Sequence, residues 1–350
     1  MKALTSVATL LVVFVAVCLP LAPFAATQQH RAPQRVQNNS GDDYKITGPY
    51  TYQNLAVFLI HGPERLPGEH FITLSEALQR KQVIVYETQN VNELAIENVS
   101  SEQVYVQSGD IVKGGQQDRM LGVDMIVPPK SGRIKIDAFC VEHGRWTRRG
   151  GESAGRFDSS NDRVATRELK LAANQTRSQS EVWQKVEEAQ AKLSKNVGAR
   201  VNSSVSESSF QLTLENRQVQ ETAANYVKAL THIADEQSDV VGYAFAINGQ
   251  INSADVYAAN TLFRKLWPSL LKSSAVEAIA ELQPRQKFAP VTTDNVGDFL
   301  NAADHGRQSD ERAVTKDVQL VTRETDQHVL IETQDRKQKQ KWLHRSYIKK

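Results

Sequence analysis

The sequence predicts an α+β protein, with an antiparallel β-sandwich or barrel-like N-terminal part packed with a helical, mixed α/β C-terminal part. Three observations carry this expectation. Short apolar segments separated by turn residues follow one another closely across residues 44–147. The apolar period then lengthens to that of a helix across residues 180–283. A lone strand-like run at residues 240–247 interrupts the helical half.

In chain order, residues 54–60 (NLAVFLI) form an apolar run of strand length, ended by His61-Gly62-Pro63. Thr73 precedes Leu74, Ala77 and Leu78 with Glu76 three positions on, the pattern of a capping box and a short helix. Strands are expected at residues 83–86, 94–96, 104–106 and 120–127. Residues 133–140 alternate, with Ile134, Ile136, Ala138 and Cys140 opposite Arg133, Lys135 and Asp137. Turn signals at Ser108-Gly109-Asp110, Gly114-Gly115 and Pro128-Pro129 separate them, which favours antiparallel pairing. Residues 148–179, rich in Arg, Ser, Gly and Asn, read as a surface excursion.

Helical stripes then follow. Val182, Trp183, Val186, Ala189 and Leu193 form one, with Ser180 as the expected N-cap. Val219, Ala223, Tyr226, Val227 and Leu230 form the next. The strand at 240–247 ends at Asn248-Gly249, a hairpin turn signal. Residues 258–282 read as a long helix kinked or split at Pro268, since proline removes a helical hydrogen bond. Residues 301–350 read as a polar loop, a hairpin (318–322 and 329–332) and a basic tail expected to be a solvated strand.

The 350 residues suit one large or two ordinary domains. Basic side chains number 42 and acidic ones 40, so no strongly basic face for nucleic acid is expected. Residues 1–26 read as a signal peptide: Lys2, a 13-residue apolar run from Val7 to Leu19, Pro20 and Pro23, then Ala25-Ala26-Thr27. That run is shorter than the roughly 20 residues needed to span a bilayer. Residues 27–43 read as a flexible lead-in, and residues 44–300 as the principal domain. The expected location is secreted or periplasmic, with no membrane span after signal cleavage. Cys140 is then the sole cysteine, so no intrachain disulfide is expected.

The most distinctive text lies between Ser108 and Trp146: SGDIVKGGQQDRMLGVDMIVPP, then FCVEHGRW. Gly114-Gly115 lacks a following Lys-Ser/Thr, so it is neither a P-loop nor a dinucleotide fingerprint, and no cofactor is predicted. No H-E-x-x-H or paired C-x-x-C is present, and no metal is predicted. Gly109, Gly114, Gly115 and Gly144 read as turn glycines. Gln117, Asp118 and Arg119 either rim a pocket or brace the glycine turn. If residues 140–146 stay extended, Glu142 and His143 face opposite ways, while His143 and Arg145 together could meet an anion. Alternatively Arg145 pairs with Asp118 or Glu142 and locks the fold. Cys140 reads as an inert buried thiol, and Trp146 as a core anchor or a stacking platform.

These motifs resemble the bacterial family called the ARG-and-rhodanese-phosphatase-superfamily-associated protein domain, whose molecular function is not established. The matching residues are Gly109-Asp110, Gly114-Gly115, Gln117-Asp118-Arg119, Val127-Pro128 and Cys140 to Trp146. The Val182-Trp183 helix start, the Val241-Gly242 to Asn248-Gly249 hairpin strand and the Leu262 to Leu271 helix with Trp267 match as well. The resemblance covers most of residues 54–282, and residues 300–350 carry no matched motif. Its name implies an association with ADP-ribosylglycohydrolases, which is context rather than mechanism.

The leading expectation is an exported, non-enzymatic module that binds an unknown small molecule or cell-envelope protein. Its polar patch would comprise Gln117, Asp118, Arg119, His143, Arg145 and Trp146. The rival is a hydrolase or transferase on a phosphate- or ribose-containing, ADP-ribose-like substrate, with Asp118 or Glu142 as general base. A third reading is a cell-envelope scaffold.

Overall fold

The computed structural model describes residues 34–37 and 43–350, apart from 164–165, 236, 337 and 339–340. The expected signal peptide and most of the lead-in lie outside the described residues. The first half runs β1 (Gln34–Gln37), β2 (Asp43–Tyr52), β3 (Leu55–His61), β4 (Phe71–Thr73), α1 (Leu74–Gln79), β5 (Val83–Asn90), β6 (Glu93–Asn98), β7 (Gln103–Val106), β8 (Asp110–Gly114), β9 (Arg119–Leu121), β10 (Met125–Val127) and β11 (Arg133–Cys140). The second runs β12 (Arg156–Arg163), α2 (Arg167–Leu171), α3 (Gln179–Val197), α4 (Phe210–Leu214), α5 (Arg217–Leu230), β13 (Val240–Ile247), β14 (Gln250–Tyr257), α6 (Asn260–Ala280), α7 (Thr293–Asp304), β15 (Arg307–Ala313), β16 (Val318–Glu324), β17 (His328–Asp335) and β18 (Trp342–Lys349).

The fold is α+β, as the periodicities imply. A closed six-stranded barrel, in the order β11-β6-β5-β12-β8-β9, packs beside a nine-stranded sheet, β1-β2-β3-β13-β14-β18-β17-β16-β15. A small third sheet, β10-β7-β4, includes one parallel pair, β4 with β7. The large sheet draws strands from both ends of the chain, so the β-rich and helical stretches share one hydrogen-bonded layer. One face of that sheet covers α7 through Phe58, Ile60, Ala244, Val296 and Phe299. The other packs Tyr243, Phe245 and Tyr257 against α5 and α6. Val85, Ile96, Val112, Leu121 and Ile136 of the barrel share one apolar cluster with Leu320, Val329 and Ile348 of the large sheet.

Local sequence explains the ends of these elements. At α1 the capping box forms: Glu76 N donates to Thr73 Oγ1 (3.2 Å), and Thr73 N donates to Glu76 Oε2 (2.8 Å). Asn248 and Gly249 take φ of 52° and 70° between β13 and β14, both positive as a two-residue hairpin turn requires. Pro268 lies within the single helix α6.

Several expectations are corrected. Residues 148–179 are no surface excursion: β12 closes the barrel between β5 and β8, and α2 follows it. Its polar sequence, RFDSSNDR, hides it because Ser160, Asp162 and Arg163 are buried in polar contacts rather than in an apolar core. Residues 120–127 are two strands in different sheets, β9 and β10, rather than one. The N-cap of α3 is Ser178, not Ser180. Residues 34–37, placed in the lead-in, pair with β2. The basic tail contributes β18, held between β14 and β17 with Leu343, His344, Arg345 and Tyr347 buried. Its charges escape a solvent-facing pattern because Arg345 pairs with Glu332, and His344 with Asp124 and Asp255.

Candidate functional site

The distinctive motif text folds into a closed knot of charge. β8 ends at Gly114, and the turn returns through Gly115, Gln117 and Asp118 into β9. Both glycines, like Gly109 and Gly144, have positive φ. At Gly115 a Cβ would fall 2.3 Å from Phe157 Cζ, so the turn needs glycine for space as well as for φ. Asp118 is fully buried, and each carboxylate oxygen is held. Gly114 N (3.0 Å) and Arg149 Nη2 (3.0 Å) donate to Oδ1, while Ser209 Oγ (2.8 Å) and Arg149 Nη1 (2.9 Å) donate to Oδ2.

Glu142 is held in the same way. Arg145 Nε donates to Oε1 at 2.7 Å, and its Nη2 lies 2.7 Å from Oε2, which also accepts from Asp118 N (3.0 Å). Burial alone would raise the Glu142 carboxyl. The Arg145 hydrogen bond, aided by Ser206 and the Asp118 backbone, carries it below the usual range instead. Arg145 spends its remaining donors on the carbonyls of Gly114, Gly115 and Thr147. Arg119 is buried against Glu87 (3.3 Å) and the Gln117 carbonyl (3.1 Å). Gln117, Asp118, Arg119, Glu142 and Arg145 therefore come together, as a brace for the glycine turn rather than as a rim around open space.

The other predicted residues stand apart. The chain leaves the extended conformation after Cys140, so the alternation assumed for residues 140–146 does not apply. His143 packs against Trp183 with ring centres 4.5 Å apart and the planes tilted by 59°, while the guanidinium of Arg145 points into the knot. Trp146 is 50% exposed and anchors no core. Burial pushes the Cys140 thiol up to about 11, which leaves it protonated and unreactive at neutral pH.

A second polar cluster, absent from the sequence reading, joins the barrel to the large sheet. His344 on β18 places Nδ1 2.5 Å from Asp124 Oδ2 and Nε2 3.1 Å from Asp255 Oδ1. Burial disfavours a charged imidazole, but the two carboxylates outweigh it and raise His344 to about 9. Asp255 falls to about 2, burial being overcome by His344 and Lys170. Asp124 also accepts from Ser108 N (2.7 Å) and Thr333 Oγ1 (2.8 Å). Both ring nitrogens are thereby committed as donors, and neither is left to take a proton from a ligand. Arg163 pairs with Asp110 and donates to the Ser108 carbonyl (2.8 Å), which ties the Ser108-Gly109-Asp110 motif to β12. A cavity of about 40 Å³ beside this brace has room for water-sized occupants only.

Arg163 also lines a larger space. A cleft of about 370 Å³ opens between α1, β12 and α6. Three ion pairs line it: Lys272 with Asp162 (2.6 Å), Lys265 with Glu76 (3.7 Å) and Arg163 with Asp110. Thr73, Ser75, Ser160 and Ser269 add hydroxyls. Lys265 and Lys272 lie seven positions apart, which puts them on one face of α6. The sequence signal for that pair was present but common. Asp124 sat inside the quoted motif text, while Arg149 and His344 lay in segments read as surface.

Fold and site together define an α+β barrel-and-sheet domain whose motif charges turn inward as braces, beside an open polar cleft. The family model of the ARG and Rhodanese-Phosphatase-superfamily-associated Protein domain matches residues 43–348, and the chain belongs to that family. The match runs well past residue 282, so the C-terminal strands belong to the family domain. No curated protein and no solved structure matches the chain.

Proposed function

We propose that this domain is an exported binding module for a small polar ligand, and that its site is the α1–β12–α6 cleft. One observation carries the reading. The cleft has the volume of a small-molecule site, and charged side chains of both signs project into it. The patch first expected around Asp118, Arg119, His143 and Arg145 lends less support, because its charges are matched within the protein. The enzyme reading loses its proposed general bases for the same reason, since the oxygens of Asp118 and Glu142 are held by arginines, a serine hydroxyl and backbone amides. Among the described residues no helix is long and apolar enough to cross a membrane. Export itself rests on the N-terminal residues 1–26.

The test is a thermal-shift screen of the purified protein against sugars, alditols, phosphates and nucleotides, repeated on Lys272→Gln. A ligand at about 100 times its Kd stabilises by roughly 2.7 kcal/mol. A shift that disappears in Lys272→Gln supports the cleft. A shift that persists unchanged places binding elsewhere.

A further inference from the structure

The cleft's chemistry also discriminates among ligand classes. Its three cations each face a carboxylate, so the lining charges cancel and no net positive field awaits an anion. A phosphate entering here would meet Asp110, Asp162 and Glu76 as well as the cations. No aromatic side chain lines the cleft among the described residues, which removes the stacking surface a nucleobase would use. Each ion pair instead sets a donor beside an acceptor. Vicinal hydroxyls, each able to donate and to accept, match that arrangement. Leu74, Leu78, Ile111 and Leu266 supply apolar patches for C–H faces between the polar groups.

We infer that the cleft takes an uncharged polyol, a monosaccharide or alditol, bound through the Lys272–Asp162 and Lys265–Glu76 pairs with Ser75 and Ser269. This rests on the cleft being the binding site. The hydroxyls bridge the outer side of each pair, hydrogen-bonding to Nζ and to a carboxylate oxygen while the partners stay in contact, so the ligand adds hydrogen bonds without separating charge. Its affinity is therefore nearly independent of salt, whereas an anion's would fall as salt screens the lysines.

The experiment is isothermal titration of the purified protein with neutral hexoses, pentoses, N-acetylhexosamines and alditols, and separately with hexose phosphates and inorganic phosphate. Each is run at low and at high sodium chloride. The expected result is binding by a neutral member, changed less than twofold by salt and weakened at least tenfold in Lys272→Gln and in Asp162→Asn. Hydrogen exchange on the unmodified protein supplies a readout independent of variant folding, with slower exchange expected in α1 and across residues 262–272 when the sugar is added. Binding only by phosphate-bearing probes, falling with salt and lost in Lys272→Gln, overturns the polyol assignment while leaving the cleft as the site. Binding by none of the probes, or protection confined to other elements, overturns both.

Discussion

Arg149 grips Asp118 through both terminal nitrogens, at 2.9 and 3.0 Å, with both side chains buried between the barrel and the 141–152 loop. The planar fork matches a carboxylate in a way a lysine cannot. Arg149→Ala strips a buried carboxylate of its two-point partner, leaving Arg145 Nη2 at 3.7 Å as its counterion, and is expected to destabilise by about 3 kcal/mol. Arg149→Lys keeps one contact and should fall in between. Adding Asp118→Asn to Arg149→Ala should recover part of the loss, because the poorly paired charge is then gone. Urea denaturation of the parent, Arg149→Ala, Asp118→Asn and the double variant measures this coupling, with Arg149→Lys as a fifth protein. Equal stability of Arg149→Ala and the parent would refute the brace.

His344 joins Asp124 of the β9–β10 connection to Asp255 of β14, so one imidazolium spans barrel and sheet. Its value is raised from the usual 6.5 to about 9. A group raised on folding contributes fully below its unfolded value and loses that contribution as pH climbs through the folded one. The brace is therefore complete below pH 6.5 and fades between there and about pH 9, a loss of roughly 3 kcal/mol. Asp255, lowered to about 2, gives the opposite flank, losing its contribution as pH falls from 3.8 through about 2. Unfolding free energies across pH 2–10 should show both flanks in the parent, and His344→Gln should lose the alkaline one.

Glu277 on α6 is buried with Oε1 accepting from Asn252 Nδ2 (2.7 Å) and Arg167 N (2.8 Å). Its Oε2 and Asn252 Oδ1 both lack a donor. A proton on the carboxyl supplies one. Burial outweighs nearby Lys170 and raises the group from 4.5 to about 7. Stability from this site is complete below pH 4.5 and is lost as pH rises through about 7, again by roughly 3 kcal/mol. Glu277→Gln carries a permanent donor, so it should equal the parent near pH 4.5 and exceed it above pH 7. Chemical denaturation at the two pH values decides it, and a parent that is the more stable protein at pH 8 would contradict the assignment.

Sequence period revealed the elements whose burial is one-sided or complete. β3, β11, β13 and α3 all stand where apolar alternation or a helical stripe put them. It failed where burial is polar. β12 and β18 carry Asp162, Arg163, His344 and Arg345 inward, and a buried ion pair leaves the same letters in the sequence as a solvated face. The motif residues were legible as unusual, and their mutual pairing was one of the readings they permitted. Arg149 and His344 were not legible, because their partners lie 31 and 220 residues away, and only the fold brings them together.

Gly242 sits in the middle of β13 opposite Val256 of β14, where the two backbones approach closely. A Cβ there would lie 2.4 Å from the Asp255 carbonyl oxygen and 2.9 Å from Val256 Cα. These are backbone atoms, so no rotamer change relieves the overlap, and β14 itself must shift. Gly242→Ala is expected to cost about 1–3 kcal/mol or more as overpacking. Because Asp255 moves with that strand, its hold on His344 should loosen as well, and the alkaline loss of stability should begin at lower pH. Gly144→Ala is the informative comparison. Its φ of +87° is unfavourable for alanine, but no atom lies within 4 Å of the added carbon, so only a local cost of about 1–2 kcal/mol is expected. Urea titrations of both variants at pH 6 and pH 9 separate the two effects. A Gly242→Ala protein that loses stability equally at both pH values would show that the strand contact and the His344 brace are independent.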